Sequence, residues 1–354
     1  MPFIQARVKF TNNDGRVVTD ASNNLNVNTG GESTLELREG TFTTLSGGTL
    51  TFADGSSTTF TPGDAKTYNV GATQAGVANF KRTSPNYTVR GSSLVKVLKY
   101  PDNATIICHE NSPNLIQVPQ ILPPNVTVLL AAFSDCSSFN QNISDWNVSK
   151  VTNMSYMFRN CSSFNQPLNT WNTGNVTNME RMFTNCNSFN QNISDWNVSK
   201  VTNMSYMFYD CINFNQPLGN WNTGNVTNMD GMFGSCSSFN QPLNNWNTSN
   251  VTAMGTMFYN CSSFNQPLNN WDVSKVTAMG GMFYNCTNFN QPLGNWNTTN
   301  VTNMSYMFNG CTNFNQDLSK WCVSLITSIP NNFNYNAPLL TAAKLPVWGT
   351  CPAR

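Results

Sequence analysis

Charge is what this sequence has least of. Only 10% of its 354 residues are Asp, Glu, Lys or Arg, and 18 basic against 17 acidic side chains leave a formal net charge of +1. A chain so nearly neutral has no electrostatic footprint for nucleic acid. Its surface must be covered by neutral polar groups, and Asn, Ser and Thr are abundant. Histidine is almost missing: His109, in Ile107-Cys108-His109-Glu110, stands alone. A Cys and a His adjacent in sequence are not a catalytic dyad, whose members meet through the fold. One His beside one Cys also falls short of a zinc site's ligands. No glycine-rich loop follows a strand and opens a helix as a phosphate cradle does. The expectation is no enzyme, no cofactor and no metal site. No apolar run approaches the roughly 18 to 20 residues of a membrane helix, so no membrane insertion is expected. Met1–Phe10 alternates like a strand, without the basic head and apolar stretch of a secretory signal.

What is present is a 25-residue unit at constant length. One column reads Cys136, Cys161, Cys186, Cys211, Cys236, Cys261, Cys286 and Cys311, another Trp146, Trp171, Trp196, Trp221, Trp246, Trp271, Trp296 and Trp321. A unit too small to bury its own core is stacked on its neighbours, so residues 133–321 read as eight rungs of a solenoid. Solenoids offer extended surfaces more often than enclosed pockets, which favours binding. Asp145, Asp195 and Asp272 recur with the repeat, as loop residues rather than an acid/base pair.

Within the rung around Val148–Trp171, Met154, Met157, Phe158 and Cys161 fall at i, i+3, i+4 and i+7, one face of a short helix. Val148 and Val151 precede it in a β-favouring stretch. Phe164, Leu168 and Trp171 follow, with Pro167 stopping the helix. Each rung is predicted as a short strand, about two turns of helix and a return loop. Asn153 suits an N-cap, but Ala253 and Ala278 replace its equivalents, so Thr152 and its column are the candidate caps there. Glu180 and Asp230 fall in the first turn, where a helix dipole favours them. The eight Asn of Phe139-Asn140-Gln141 through Phe314-Asn315-Gln316 are expected to stack as a ladder satisfying loop backbone groups. The Cys column is expected to be small buried apolar residues with free thiols. Ser138–Phe158 is identical to Ser188–Phe208, the mark of a duplicated two-rung block.

Residues 1–93 are predicted to form a β-rich domain, sandwich or barrel-like, for anchoring or oligomerisation. Asn12-Asn13-Asp14-Gly15 and Ala53-Asp54-Gly55-Ser56 are hairpin signals, and Thr29-Gly30-Gly31 and Ser46-Gly47-Gly48 add turns. Residues 94–132 read as an irregular N-terminal cap of one or two degenerate rungs, and 322–354 as a C-terminal cap.

The pattern Val-Thr-Asn-Met-x-x-Met-Phe-x-x-Cys-x-x-Phe-Asn-Gln-x-Leu-x-x-Trp, at 151–171, 201–221 and 301–321, resembles the BspA-like leucine-rich repeat family over residues 133–354. The resemblance implies a right-handed leucine-rich-repeat-type α/β solenoid on a microbial surface, often in adhesion. Trp321-Cys322-Val323 and Pro346–Pro352 also look like the terminal cap of secreted members. Residues 1–93 lie outside the resemblance. A surface-type repeat joined to an unrelated β domain, without an export signal, suits a phage or viral particle component by analogy: a tail fibre, spike or capsid decoration. Its expected partners are other virion proteins through residues 1–93, and a host surface glycan or protein through the solenoid. A homo-oligomer is expected, a trimer if the chain is a fibre. The alternative is an extracellular, cell-surface adhesin of a bacterium or protist.

The candidate binding face is the unbroken row Thr152, Thr177, Thr202, Thr227, Thr252, Thr277 and Thr302, flanked by Lys150, Lys200 and Lys275. Tyr156, Tyr206, Tyr306, Tyr209, Tyr259 and Tyr284 are candidate sugar platforms. Cys322 and Cys351 stand outside the ladder and are a candidate disulfide, with two packed thiols as the alternative.

Overall fold

A bend in one long strand shapes the N-terminal sheet. The structure, a computed structural model, describes residues 32–82 and 86–352, the side chains of 62–66 apart. The hairpin expected at Asn12–Gly15 and the turn at Thr29–Gly31 lie outside the described residues. The strands are β1 (Glu32–Leu37), β2 (Gly40–Thr51), β3 (Ser57–Val70), β4 (Gly76–Arg82), β5 (Asn86–Arg90), β6 (Leu94–Lys99) and β7 (Ile106–Cys108). They make one sheet in the order β6-β1-β4-β2-β5-β7, with β3 alongside β2. Ala53–Ser56 turns the chain between β2 and β3, Phe52 N–H donating to Ser56 O at 2.8 Å.

The first half of β2 pairs with β5 through Thr43 and Thr44, the second half with β4 through Gly48–Thr51. Between them the register with β3 slips, and Gly47 and Gly48 take φ of 52° and 142°. A Cβ on Gly48 would stand 2.6 Å from Arg82 Cα, so only glycine admits the crossing strand. The Gly47–Gly48 pair is thus a bend inside β2, next to that slip, rather than a turn between strands. The bend lets one sheet curl over its own core instead of facing a second sheet, so of the two expected forms, sandwich or barrel-like, the sandwich is not the one observed. Burial alternates along β1 and β4 as a one-sided sheet requires. Under it, Phe42, Phe60 and Phe80 meet with ring centroids 5.6–6.3 Å apart.

The sheet does not end at residue 93: β6 pairs with β1. Nor does a linker follow. β5 pairs in parallel with β7, Ile106 bridges Val128, Val128 bridges Asn153, and the same bridge repeats every 25 residues to Asn303. One ladder therefore runs from the sheet through all the rungs, and the buried apolar residues form a single cluster from Leu35 to Leu340.

Each rung departs from prediction in one respect. Helices are absent: among the described residues only two short 3-10 turns occur, Ala72–Gln74 and Ala342–Lys344. Over 154–161 the backbone N–H groups divide their bonds by parity. Met157, Arg159 and Cys161 donate to residues three back, closing successive turns. Met154, Tyr156, Phe158 and Asn160 donate to carbonyls of the next rung at 2.8–3.1 Å. Tyr156 and Asn160 sit in the left-handed region, φ 59° and 60°, which a helix cannot contain. An α-helix would direct its N–H groups along its own axis; here half of them tie rung to rung. The strand of each rung likewise shrinks to one bridge.

The core columns are those anticipated. Met154, Met157, Phe158, Cys161, Phe164 and Leu168 are fully buried, and Trp171 nearly so. Consecutive turns return side chains inward at the same three- and four-residue steps as a helix. Phe158 stacks on Phe183 at 5.5 Å, Trp171 on Trp196 at 6.3 Å, and Trp171 Nε1 donates to Ile143 O. The Asn ladder ties the loops: Asn140 Oδ1 accepts both the Asn165 N–H at 2.9 Å and Gln166 Nε2 at 3.0 Å, a pattern that recurs along the stack.

Candidate functional site

Two stripes run the length of the stack, one exposed and one mostly half-buried. The first is the Thr row. All seven, Thr152 through Thr302, are exposed. Each hydroxyl leans on the rung before it, Thr177 Oγ1 donating to Thr152 O at 3.2 Å and Thr227 Oγ1 to Thr202 O at 3.1 Å. No helix follows, so these residues cap nothing; the row presents methyl groups and hydroxyl lone pairs to solvent. The flanking lysines are also engaged. Lys150 Nζ donates to Pro124 O, Lys200 Nζ to Asn175 Oδ1 and Lys275 Nζ to Asn250 Oδ1, at 2.7–2.9 Å. Asn175 Nδ2 in turn donates to Ser149 O. Along this edge the Thr is constant, while the flanking residue is Lys on some rungs and Asn on others.

The second stripe is the outer side of the stacked turns, and here the rungs differ. Its first column reads Ser155, Glu180, Ser205, Asp230, Gly255, Gly280, Ser305. The next reads Tyr156, Arg181, Tyr206, Gly231, Thr256, Gly281, Tyr306, and a third Arg159, Thr184, Tyr209, Gly234, Tyr259, Tyr284, Asn309. The side chains of successive rungs engage one another. Tyr156 donates its hydroxyl to Glu180 Oε1 at 2.9 Å, and burial together with the Glu180 carboxylate raises the phenol's pKa. Arg181 lies 4.2 Å over the Tyr206 ring. Gly231 and Gly234 make room for Tyr206 and Tyr209, since a Cβ there would meet ring carbons at 2.5–2.6 Å. Tyr259 and Tyr284 stack at 4.7 Å.

Glu180 and Asp230 are therefore not helix-dipole residues. Their N–H groups donate to the amide oxygens of Asn178 and Asn228 at 2.9 Å, a local turn that Asn153 makes for Ser155 as well. In the rung where Ala253 replaces that Asn, Gly255 N–H instead finds Asp230 Oδ1 at 2.6 Å. Partial burial raises the Asp230 carboxyl's pKa.

The remaining candidates are structural. Cys161 Sγ donates to Phe133 O at 2.8 Å, the Cys column repeats this contact, and burial pushes the thiols up, that of Cys311 to about 12. They are neither nucleophiles nor ligands, and no cluster of metal-binding residues occurs among the described residues. His109 is buried at the junction of sheet and first rungs. Val89 O can only accept, so Nδ1 carries the proton to it at 2.9 Å, and Nε2 accepts from the Tyr100 hydroxyl at 3.1 Å. Burial holds its imidazole down to about 4. Cys322 and Cys351 are paired as a disulfide, Cα atoms 4.0 Å apart.

Residue chemistry alone hid the turn stripe. The signal was internal: these columns vary between rungs while the core columns do not. Among known families, the chain matches the one described as Mycoplasma protein of unknown function, DUF285, three times in tandem, over residues 117–211, 192–279 and 265–344. The matched stretch coincides with the BspA-like pattern. No curated protein matches the chain.

Proposed function

This chain belongs to the DUF285 family, matched over nearly two thirds of its length, and from that premise we propose that it is a non-enzymatic structural and binding protein exposed on a surface. The N-terminal region attaches it and the rungs make the contact. The observation that supports this reading is the division of the repeat: core, Asn ladder and Thr row are held, while Tyr, Arg, Glu, Asp and Gly are exchanged along one half-buried stripe of the turns. Packing explains uniform columns. It also accounts for the glycines beside Tyr206 and Tyr209; the mixture of Tyr, Arg, Glu and Asp along the stripe is what recognition of a partner would use.

The surface we propose is that of a phage or viral particle. There the curled sheet and the residues before it would dock on other virion proteins, and the rungs would meet a host glycan or protein or a neighbouring subunit. A β-rich base unlike the repeats, continuous with a rigid stack, suits a spike, fibre or capsid decoration. A right-handed winding belongs to the same proposal, being the sense that parallel crossovers take. The second reading is a cell-surface adhesin, favoured by the family's description, which names a bacterium.

Adsorption of the purified chain to host cells tests the reading. Tyr259→Ala with Tyr284→Ala should weaken adsorption by at least about tenfold, as loss of interface aromatics does, and Thr202→Glu with Thr227→Glu should weaken it less. Unchanged adsorption in both would exclude the rungs as the contact surface.

A further inference from the structure

The two ends of the stack are finished differently. The first rungs are sealed by the sheet through β7 and β5. At the other end, the cap contains a ninth rung with one residue inserted. Phe333, Ala337 and Leu340 take the buried places of Met307, Cys311 and Phe314. Tyr306, Phe308 and Gly310 donate their N–H groups to the carbonyls of Asn331, Phe333 and Tyr335 at 2.8–2.9 Å. Asn332 and Asn336 repeat the left-handed turns, φ 50° and 57°.

Residues 341–352 form no further rung. The N–H groups of Asn332, Asn334 and Asn336, which on every other rung would donate onward, meet no acceptor among the described residues. Pro330 stands where a fourth donor would be. A terminal repeat ordinarily turns a polar face to water. The cap, residues 322–352, instead exposes Leu325, Ile329, Tyr335, Leu339 and Val347, between 43% and 70% accessible. Charge is missing as well: between residues 321 and 352 Lys344 is the single charged side chain, and its Nζ is engaged by Leu339 O and Asn315 Oδ1.

We propose that this end face is an interface that takes a second copy of the same chain, end to end across a two-fold axis. The face is complementary to itself in three ways. It is apolar, so two copies bury each other's exposed side chains. It holds no unpaired charge, so like copies do not repel. It also carries acceptors beside its donors: the exposed amides of Asn331, Asn332 and Asn336 make no side-chain hydrogen bond among the described residues. Across a two-fold axis each face meets its own image, so amide oxygens of one copy face the N–H row of the other. The molecule already uses that bond between rungs, Asn165 N–H to Asn140 Oδ1 at 2.9 Å. A donor-only ladder edge facing another donor-only edge would fail without these amides. This inference does not depend on where the protein resides.

Light scattering and sedimentation of the full chain across a wide concentration range test it. The expected species is a dimer. Leu339→Asp with Val347→Asp alters only exposed side chains and should raise the dimer dissociation constant by at least about a hundredfold, because two carboxylates would be buried against their own images. The milder Val347→Ser should weaken it in the same direction. Ile121→Asp, 79% exposed near the sheet end, should leave the dimer intact. In hydrogen exchange the amides of Asn332, Asn334 and Asn336 should be protected in the dimer and exchange rapidly in the double variant. A wild-type chain that stays monomeric would overturn the proposal. So would a dimer or trimer that survives the double variant, which would assign association to the N-terminal region.

Discussion

The curled sheet and the stack of rungs bury their cores by opposite strategies. In the sheet, Phe42, Phe60 and Phe80 come from three different strands and each contact is made once. In the stack, Phe158, Phe183 and Phe208 meet the same neighbours above and below, rung after rung. The sheet must therefore form as a whole, whereas the rungs approximate a sum of equal nearest-neighbour terms. A fault should spread through the first and stay local in the second.

The strongest test of that contrast compares Phe80→Ala with Phe208→Ala. Both remove a fully buried ring, and each should cost about 3–5 kcal/mol. Hydrogen exchange should then show the whole sheet opening together in the first variant, and only the rungs flanking 208 opening in the second. Uniform loss of protection across the stack in Phe208→Ala would refute the nearest-neighbour picture.

The next effect belongs to the junction. An imidazole in the unfolded chain titrates near 6.5, but burial holds that of His109 down to about 4. Between these values the unfolded state binds the extra proton. The stabilisation from neutral His109 is therefore fully present above about pH 6.5 and is lost as pH falls toward 4, a change of about 3 kcal/mol. Denaturant midpoints measured across that window should fall more steeply in the native chain than in His109→Gln. Equal slopes would mean that the junction is open to water. In the rungs the raised carboxyls of Asp210 and Asp230 act in the opposite sense, since their burial disfavours the charged form and protonation relieves it.

The smallest effect is in the loop ladder. Asn190 Oδ1 accepts from Asn215 N–H and Gln216 Nε2, each at 3.0 Å. Asn190→Ala leaves both donors without that acceptor and should cost about 1–3 kcal/mol, read from the shift in chemical denaturation. Because the ladder repeats, the same change at Asn240 should cost about the same. A marked inequality would show that the rungs are not equivalent.

Much of the stack was legible in the sequence for the reason that makes it repeat: a constant period leaves one way to align the columns, and Met154, Met157, Phe158, Cys161 and Trp171 are buried as their pattern requires. The helix was misread because a train of turns returns side chains inward at helical steps. A contrary signal stood just before each Cys, where Asn160, Asn185, Asp210, Ser235, Asn260, Asn285 and Gly310 are nearly all residues at home in the left-handed region. The sheet was harder to read. Ser46-Gly47-Gly48 looks like a turn in sequence, and only the strand crossing at Arg82 shows it to be a bend within one strand. Of the candidate site, the Thr row was visible as an unbroken column, but its engaged hydroxyls were not. The turn stripe became apparent once its three columns lay side by side on one face.

What the sequence determined by itself is period, register and the identity of the core, because translation by 25 residues places like on like and leaves burial little choice. What the tertiary structure alone decided is where the backbone hydrogen bonds go. A chain segment can satisfy its N–H groups within a helix or on a neighbour at nearly equal cost. The presence of that neighbour, one rung away and in register, is not a local property of any residue. The same fact decides the end of the stack, where the neighbour is missing and the donors remain.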